Sequence, residues 1–409
     1  MENNQKILFK RESRFQFIMV AFCIFFSTKT STLSTNPYLF WGVTSLLTFY
    51  IFNNTRVVIT KKFTKIIIIF FLLTIITNIQ HSDFTPLFFV SKSVLVFFAF
   101  LTIVLLKDRF FILYEYIIYI LALVSLPLFI LQLISFDLIY NIARVIESNI
   151  LIFELVDNKS ATLILWNLQS GFHENRNCGF MWEPSAFAAM LLLPIMINLV
   201  LNNFKINKRL VVLVIALLTT MSTMGYLSLM VITVFYIYNT KTKYSLLLLP
   251  GFIYLFILIF NLSFMKDKIV HEYKNIDNTI YSAFNDKYNK MRSLGRMGSF
   301  AIDYGDLKKH PILGVGGHDQ LRTSSDRLYI NKTNGLSRFL LTFGLIGGFL
   351  LIYGLSRTYK YFSIFNKSKG SFFFVIIVLM FAFSNSILTT PLLFTNIFYT
   401  FFAIDKLND

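Results

Sequence analysis

Charged residues collect at the edge of one apolar run, in the sequence His-Glu-Asn-Arg-Asn-Cys-Gly-Phe-Met-Trp-Glu-Pro-Ser from His173 to Ser185. Arg176 and Glu183 stand close to the apolar boundary, and an uncompensated charge near the centre of a membrane helix costs about 2.5 kcal/mol or more. Pro184 suits the first turn of a helix, and a helix start offers free N–H groups to an anion. The stretch predicts a functional site, with a structural Arg–Glu pair at the interface as the alternative.

A second polar stretch, between Phe264 and Gly335, interrupts the apolar segments. Arginine side chains form planar forks that match phosphate oxygens, and a loop this long escapes the charge rule that sets membrane topology. An anionic partner is the natural interpretation, and ordinary solvation is the alternative for any single residue. The basic residues and histidines concerned are Lys290, Arg292, Arg296, Lys308, Lys309, His310, His318, Arg322 and Arg327.

The same stretch argues against nucleotide and metal sites. Gly314 to Gly317 lacks the Gly-Lys-Ser/Thr ending of a phosphate-binding loop, and the spacing of His310, His318 and Asp319 fits no standard metal motif. No Asp-x-Asp sequence occurs that would hold a nucleotide sugar through a divalent ion. We therefore expect a lipid-linked sugar donor, no metal, no cofactor, and a His, Asp or Glu that takes a proton from a sugar hydroxyl.

The elements that must position these residues are membrane helices. Apolar residues make up 56 % of the 409-residue chain and charged residues only 14 %. A soluble domain could not bury that much apolar surface, whereas runs such as Pro86 to Leu106 match the roughly 30 Å of hydrocarbon in a bilayer. The sequence predicts an all-α, polytopic integral membrane protein whose partner is the lipid bilayer.

The distribution of positive charge predicts the topology. The net charge of +17 comes mostly from short loops between apolar segments, which is the pattern of cytoplasmic loops and not of a nucleic-acid-binding protein. The run from Leu210 to Tyr238 is either one tilted helix or two short ones, and only the split keeps all the short basic loops on one side. With the split, about twelve helices are expected, near 15–33, 37–52, 64–79, 86–106, 110–136, 179–201, 210–222, 224–238, 244–263, 336–355, 371–387 and 389–404.

Five segments follow from this topology, with both termini in the cytoplasm. Residues 1–136 hold helices one to five, 179–263 hold helices six to nine, and 336–409 hold the last three. Residues 264–335 form one large periplasmic loop. Residues 137–178 mix apolar and polar positions at spacings of three to five, which predicts a helix on the membrane surface or a partial lid.

Three short motifs resemble those of a known family. Arg176 to Ser185, R-N-C-G-F-M-W-E-P-S, resembles an R-x-x-G-x-x-x-E-P-S/N segment at a helix start. Ser293 to Arg296 resembles an S-G-R element that opens a large periplasmic loop, and His310 to Gly316, H-P-I-L-G-V-G, resembles the P-x-x-G-x-G element that follows it. In this order and topology, the chain resembles the O-antigen polymerase and ligase superfamily of polytopic, GT-C-like membrane glycosyltransferases.

The resemblance implies glycosyl transfer between undecaprenyl-diphosphate-linked oligosaccharides at the periplasmic face of the bacterial inner membrane. A membrane protein that regulates chain length is a further partner to be considered. The residues assigned to catalysis are Arg176, Glu183, Arg296 and His318. The residues assigned to substrate binding are Arg292, His310, Gly314, Gly316, Arg322 and Arg327.

Two alternative activities are a ligase of the same superfamily and a flippase, which is a transporter and belongs to a different class. Ligases of the superfamily tend to carry a His just before the helix that closes the loop, and this chain has Thr333, Asn334 and Gly335 there, which favours a polymerase. A lipid-linked oligosaccharide flippase should place charges along several helices. Here the helix cores are almost free of charge, with Lys92 and Glu115 as the main exceptions.

Overall fold

The computed structural model describes residues 11–30, 32–54, 61–81, 85–147, 160–163, 165–171, 173–240, 292–323, 330–331 and 333–403. The predicted helix at 244–263 and the first part of the predicted loop, 264–291, lie outside these residues. Within the described part, the chain is mostly helical. It divides into two compact units, the first built from residues 1–64, 91–225 and 390–409, and the second from 65–90 and 226–389.

The helices follow the apolar runs of the sequence. In chain order they are α1 (Arg11–Phe25), α2 (Thr32–Thr35), α3 (Pro37–Asn54), α4 (Lys61–Gln80), α5 (Pro86–Leu106), α6 (Arg109–Ile134), α7 (Phe136–Ile146), α8 (Pro184–Leu201), α9 (Lys208–Thr219), α10 (Thr223–Thr240), α11 (Gly295–Lys309), α12 (Gly335–Phe365), α13 (Phe372–Ser384) and α14 (Pro391–Ala403). Two short strand pairs accompany them: β1 (Ser160–Thr162) with β2 (Asn167–Gln169), antiparallel, and β3 (Arg292–Ser293) with β4 (Ile330–Asn331), parallel.

Among the described residues, five helices are long and apolar enough to cross a bilayer. They are Phe63–Gln80 within α4, and the whole of α5, α6, α8 and α12. Three further apolar helices, Arg14–Phe25 within α1, α13 and α14, are shorter. This helix content, with so few charges, identifies an α-helical membrane protein.

The run from Leu210 to Tyr238 forms two helices, as the charge pattern predicts. Helix α9 ends at Thr219, and Met221 adopts a positive φ of 46° before α10 begins. The amide of Gly225 donates to the Ser222 hydroxyl at 3.3 Å, which caps the start of α10. The break therefore rests on local capping by a hydroxyl residue.

Helix α8 is buried along nearly its whole length in the first unit, where it packs against α6 and α9. Glu115 of α6, only 2 % exposed, accepts hydrogen bonds from Asn198 (2.7 Å) and from the guanidinium of Arg209 (3.2 Å). A buried carboxylate is tolerated when it is both paired and hydrogen-bonded. Glu115 thus joins three helices of this unit.

The segment from 137 to 178, where the sequence predicts a surface helix, contains α7 in its first part. Helix α7 is followed by the β1–β2 hairpin, whose Trp166 is fully buried. One face of α7 packs on this hairpin. The other face exposes Leu138, Ile142 and Val145 at i, i+4 and i+7, which is the pattern of a helix lying in a membrane interface.

Helix α12 of the second unit is broken at Gly344, whose φ of 65° and ψ of −169° lie in a region that is essentially restricted to glycine. The backbone from Pro311 to Gly316 lies against this break and hydrogen-bonds to both sides of it. The four bonds run from Val315 N to Leu341 O (2.8 Å), Gly316 N to Thr342 O (3.0 Å), Leu345 N to Pro311 O (2.9 Å) and Ile346 N to Ile312 O (3.2 Å).

Gly344→Ala is expected to destabilise the protein by more than about 3 kcal/mol, because a Cβ would meet the Ile312 carbonyl and require a forbidden backbone conformation. Gly305→Ala is the matched control. Gly305 lies within α11 with no atom near its Cβ position, so alanine there should stabilise by about 0.5–1 kcal/mol. Thermal unfolding in detergent compares the two variants, and an unchanged melting temperature for Gly344→Ala would disprove the backbone account.

Candidate functional site

Four segments of the second unit are joined by contacts between their polar groups. They are His81 directly after α4, helix α11, the loop His310–His318, and the first half of α12 with its N-cap residue Asn334. The stretch that the sequence presented as a loop therefore contains a 15-residue helix, α11. Its polar residues repeat with helical spacing, so the periodicity of this stretch could have predicted it.

Arg296 is the second residue of α11 and is half-buried. Its Nε donates to the carbonyl of Ser384 at 3.2 Å, and its own carbonyl accepts from Asn334 Nδ2 at 3.3 Å. These two contacts fix the Arg296 backbone and its Nε atom. The Nε bond holds the guanidinium, and within the described residues neither Nη group has a hydrogen-bond partner. A guanidinium can donate through both Nη groups to an anion such as a phosphate.

One face of α11 carries buried polar groups that the sequence assignments did not include. Ser299 and Asp303 follow Arg296 by three and seven residues, which places all three on one side of the helix. The hydroxyl of Ser337 donates to Asp303 at 2.7 Å, and the amide of Ser337 donates to Asn334 Oδ1 at 3.0 Å. These bonds join α11 to the first turn of α12 and hold Arg296 in register.

Gly314 and Gly316 have a packing role in this structure. A Cβ on Gly314, whose φ is +71°, would meet the Leu341 carbonyl, and one on Gly316 would lie 2.9 Å from Thr77 Cγ2. Both glycines are buried. Close packing against α12 therefore explains Gly314, and close packing against Thr77 of α4 explains Gly316; the contacts of these glycines do not test their assignment to substrate binding.

Three histidines meet beside this loop. The His81 ring lies 4.8 Å from that of His310 and 5.2 Å from that of His318, edge to face in both cases. His81 Nε2 is 3.1 Å from the carbonyl of Gly314, so this nitrogen is the donor. His318 has no exposed surface, whereas His310 is partly exposed. Of the two histidines assigned from the sequence, His310 is therefore the one placed to reach a substrate.

Burial lowers the pKa of His310 below its ordinary value, and the nearby His81 and Lys309 lower it further. Asp306 acts in the opposite direction and more weakly. A lowered pKa keeps this imidazole neutral near pH 7 and able to accept a proton. Since the folded protein binds fewer protons than the unfolded chain here, this group makes stability fall as the pH drops below about 6.5.

The remaining arginines assigned to substrate binding have different placements. Arg322 is half-buried and its Nη2 lies 3.3 Å from the hydroxyl of Thr342, two residues before the break at Gly344. Arg292 belongs to β3, where its backbone pairs with Ile330. Arg327 lies outside the described residues.

Arg176 and Glu183 belong to the first unit, and Arg176 is tied into its fold. Its Nε donates to Thr220 O at 3.1 Å and its Nη2 to Met221 O at 2.9 Å, so it caps the carbonyl end of α9. Its Nη1 lies 3.2 Å from His173 Nδ1. These contacts favour the structural reading of Arg176.

Glu183 is the N-cap residue of α8 and its carboxylate accepts a hydrogen bond from the Ser185 hydroxyl at 2.6 Å. Its carbonyl accepts from the amides of Ala186 and Phe187. A carboxylate therefore occupies the start of α8, where the sequence predicted an anion site, and it would repel a phosphate. Burial raises the pKa of the neighbouring Cys178 thiol, which stays protonated and unreactive.

Among the described residues, no group of three His, Cys, Asp or Glu side chains is arranged to hold a metal ion. No protein-family model, curated protein or solved structure matches the chain. The site is therefore interpreted from its own geometry and from the motifs of the sequence.

Replacing the two arginines by glutamine should separate their roles. Arg176→Gln removes charged hydrogen bonds to the end of α9, so it should lower the free energy of unfolding by about 3 kcal/mol. Arg296→Gln loses one bond at a half-buried position and should stay within about 1 kcal/mol of the wild type. Melting temperatures in detergent provide the comparison, and equal losses in both variants would refute the distinction.

Proposed function

We propose that this protein polymerises undecaprenyl-diphosphate-linked oligosaccharide repeat units into a surface polysaccharide, such as O-antigen, at the periplasmic face of the bacterial inner membrane. In this proposal about twelve helices cross the membrane, both termini lie in the cytoplasm, and α11 with its flanking loops faces the periplasm. A chain-length regulator is the expected protein partner. The observation that carries the proposal is the anchored fork of Arg296 in the second unit.

The reaction class follows from what such a fork can stabilise. In repeat-unit transfer, the bond between the sugar C1 and the diphosphate oxygen breaks, and negative charge develops on the leaving diphosphate. A guanidinium that is already held by the Ser384 carbonyl stabilises this charge without further ordering, since its two Nη groups can donate to two phosphate oxygens. The buried network of Asp303, Ser337 and Asn334 keeps the helix that carries it in place.

A strain that lacks the gene tests the polymerase activity. Its surface polysaccharide is separated on gels, and its lipid-linked intermediates are analysed in parallel. We expect single repeat units on the outer acceptor and no ladder of longer chains. Polymer that accumulates on the undecaprenyl carrier would identify a ligase instead. Single units trapped on the cytoplasmic face would identify a flippase.

Complementation with Arg296 variants tests the residue. Arg296→Lys keeps the positive charge but loses the planar fork, so it should reduce long chains at least about tenfold at wild-type protein levels. Lys308→Gln is the matched control, because Lys308 is an exposed cation of the same helix whose ammonium lies over the Tyr304 ring. A full ladder from Arg296→Lys would rule out the bidentate contact.

A further inference from the structure

The cluster of His81, His310 and His318 joins residues that are far apart in the chain. His81 follows directly after α4, and the loop that carries the other two lies more than 200 residues later. Two independent contacts bind His81 to this loop: the hydrogen bond to the Gly314 carbonyl and the edge-to-face packing on both other rings. The sequence placed His81 in no motif.

We propose that His310 is the general base of the transfer reaction and that His81 is the residue that positions it. This inference rests on the proposed polymerase function and assigns its proton transfer. The acceptor sugar hydroxyl gives its proton to a ring nitrogen of His310 as its oxygen forms the bond to C1 of the donor. The C1–diphosphate bond breaks with its electron pair, and the lipid diphosphate leaves.

The geometry selects His310 over its neighbours. His318 is completely buried, and His81 uses its Nε2–H for the Gly314 carbonyl, so its role is structural. His310 is the C-cap residue of α11 and its backbone amide donates to Leu307 O, while Gly314 N donates back to the His310 carbonyl at 3.1 Å. The backbone at His310 is thereby fixed on both sides, and the hydrogen bond from His81 to the Gly314 carbonyl holds this loop in place.

The electrostatic surroundings of His310 support proton acceptance. Among the described residues, the charged and titratable groups that act on His310 are His81 directly after α4, Lys309 at the end of α11 and the carboxylate of Asp306. Asp306 is itself engaged by Lys309 (3.5 Å) and by Thr323 N (2.9 Å). Its charge is therefore partly neutralised, and the balance of charges favours the neutral imidazole near pH 7.

The test is the pH profile of single-turnover transfer by the purified full-length protein in lipid vesicles, with a lipid-linked oligosaccharide as the probe. His310→Gln should lower the rate about 100-fold and remove the acid limb, which is the typical effect of losing a general base. Lys309→Gln removes a charge that lowers the pKa of His310, so its acid limb should move up by about half a pH unit. Lys360→Gln, which removes an exposed cation near the C-terminal end of α12, should leave the profile unchanged.

Two substitutions of His81 separate positioning from packing. His81→Gln keeps an N–H donor for the Gly314 carbonyl, so it should keep the plateau rate while the acid limb moves to higher pH. His81→Phe keeps a ring and loses the donor, so it should lower the plateau rate about tenfold with the affinity for the lipid-linked oligosaccharide unchanged. Equal plateau rates in the two variants would overturn the positioning role.

Titration of ¹³C-labelled histidine in the wild-type protein by NMR provides a readout that needs no variant to fold. His310 should titrate below 6.5, and a pKa at or above that value would contradict the account of its electrostatic surroundings given above. If His310→Gln makes long chains and keeps the acid limb, the inference fails and the polymerase function stands. If the wild-type protein transfers nothing, both fail.

Discussion

The organisation of the second unit depends on the exchange of backbone hydrogen bonds between the broken helix α12 and the loop Pro311–Gly316. In a membrane protein, a break in a helix leaves carbonyl and amide groups that no water in the hydrocarbon can satisfy. The loop supplies two amides and two carbonyls to the exposed groups on the two sides of Gly344. The break is stable because another part of the chain completes its hydrogen bonds.

This exchange also fixes the polar residues around it. Hydrogen bonds to α12 fix the loop Pro311–Gly316. His310 directly precedes this loop and His318 follows it by two residues, so both histidines are held close to α12. The first turn of α12 is in turn held to α11 by the bond between Ser337 and Asp303, which keeps Arg296 at the start of α11. Contacts with α12 therefore hold both Arg296 and His310, the two residues that the proposed reaction needs.

The apolar helices could be predicted from the sequence, because length, hydropathy and charge spacing act locally along the chain. The break between α9 and α10 was also predictable, since Ser222 and Gly225 lie at a charge-determined turn. For the stretch that forms α11 the sequence predicted a loop, because its many polar residues are typical of a solvated segment, although they repeat at helical spacing. His81 could not have been found, because its role depends on a contact with Gly314 that local sequence does not encode.

The two motif arginines illustrate why resemblance and geometry must be weighed separately. Both stand in short segments similar to family motifs, and both are half-buried. Arg176 donates to the carbonyls of Thr220 and Met221, which directly follow α9. Arg296 donates to one carbonyl through Nε and keeps its fork. An arginine that caps a helix, such as Arg176, is explained by the fold. An arginine that is bound only through Nε, such as Arg296, has Nη groups with which it can take part in chemistry.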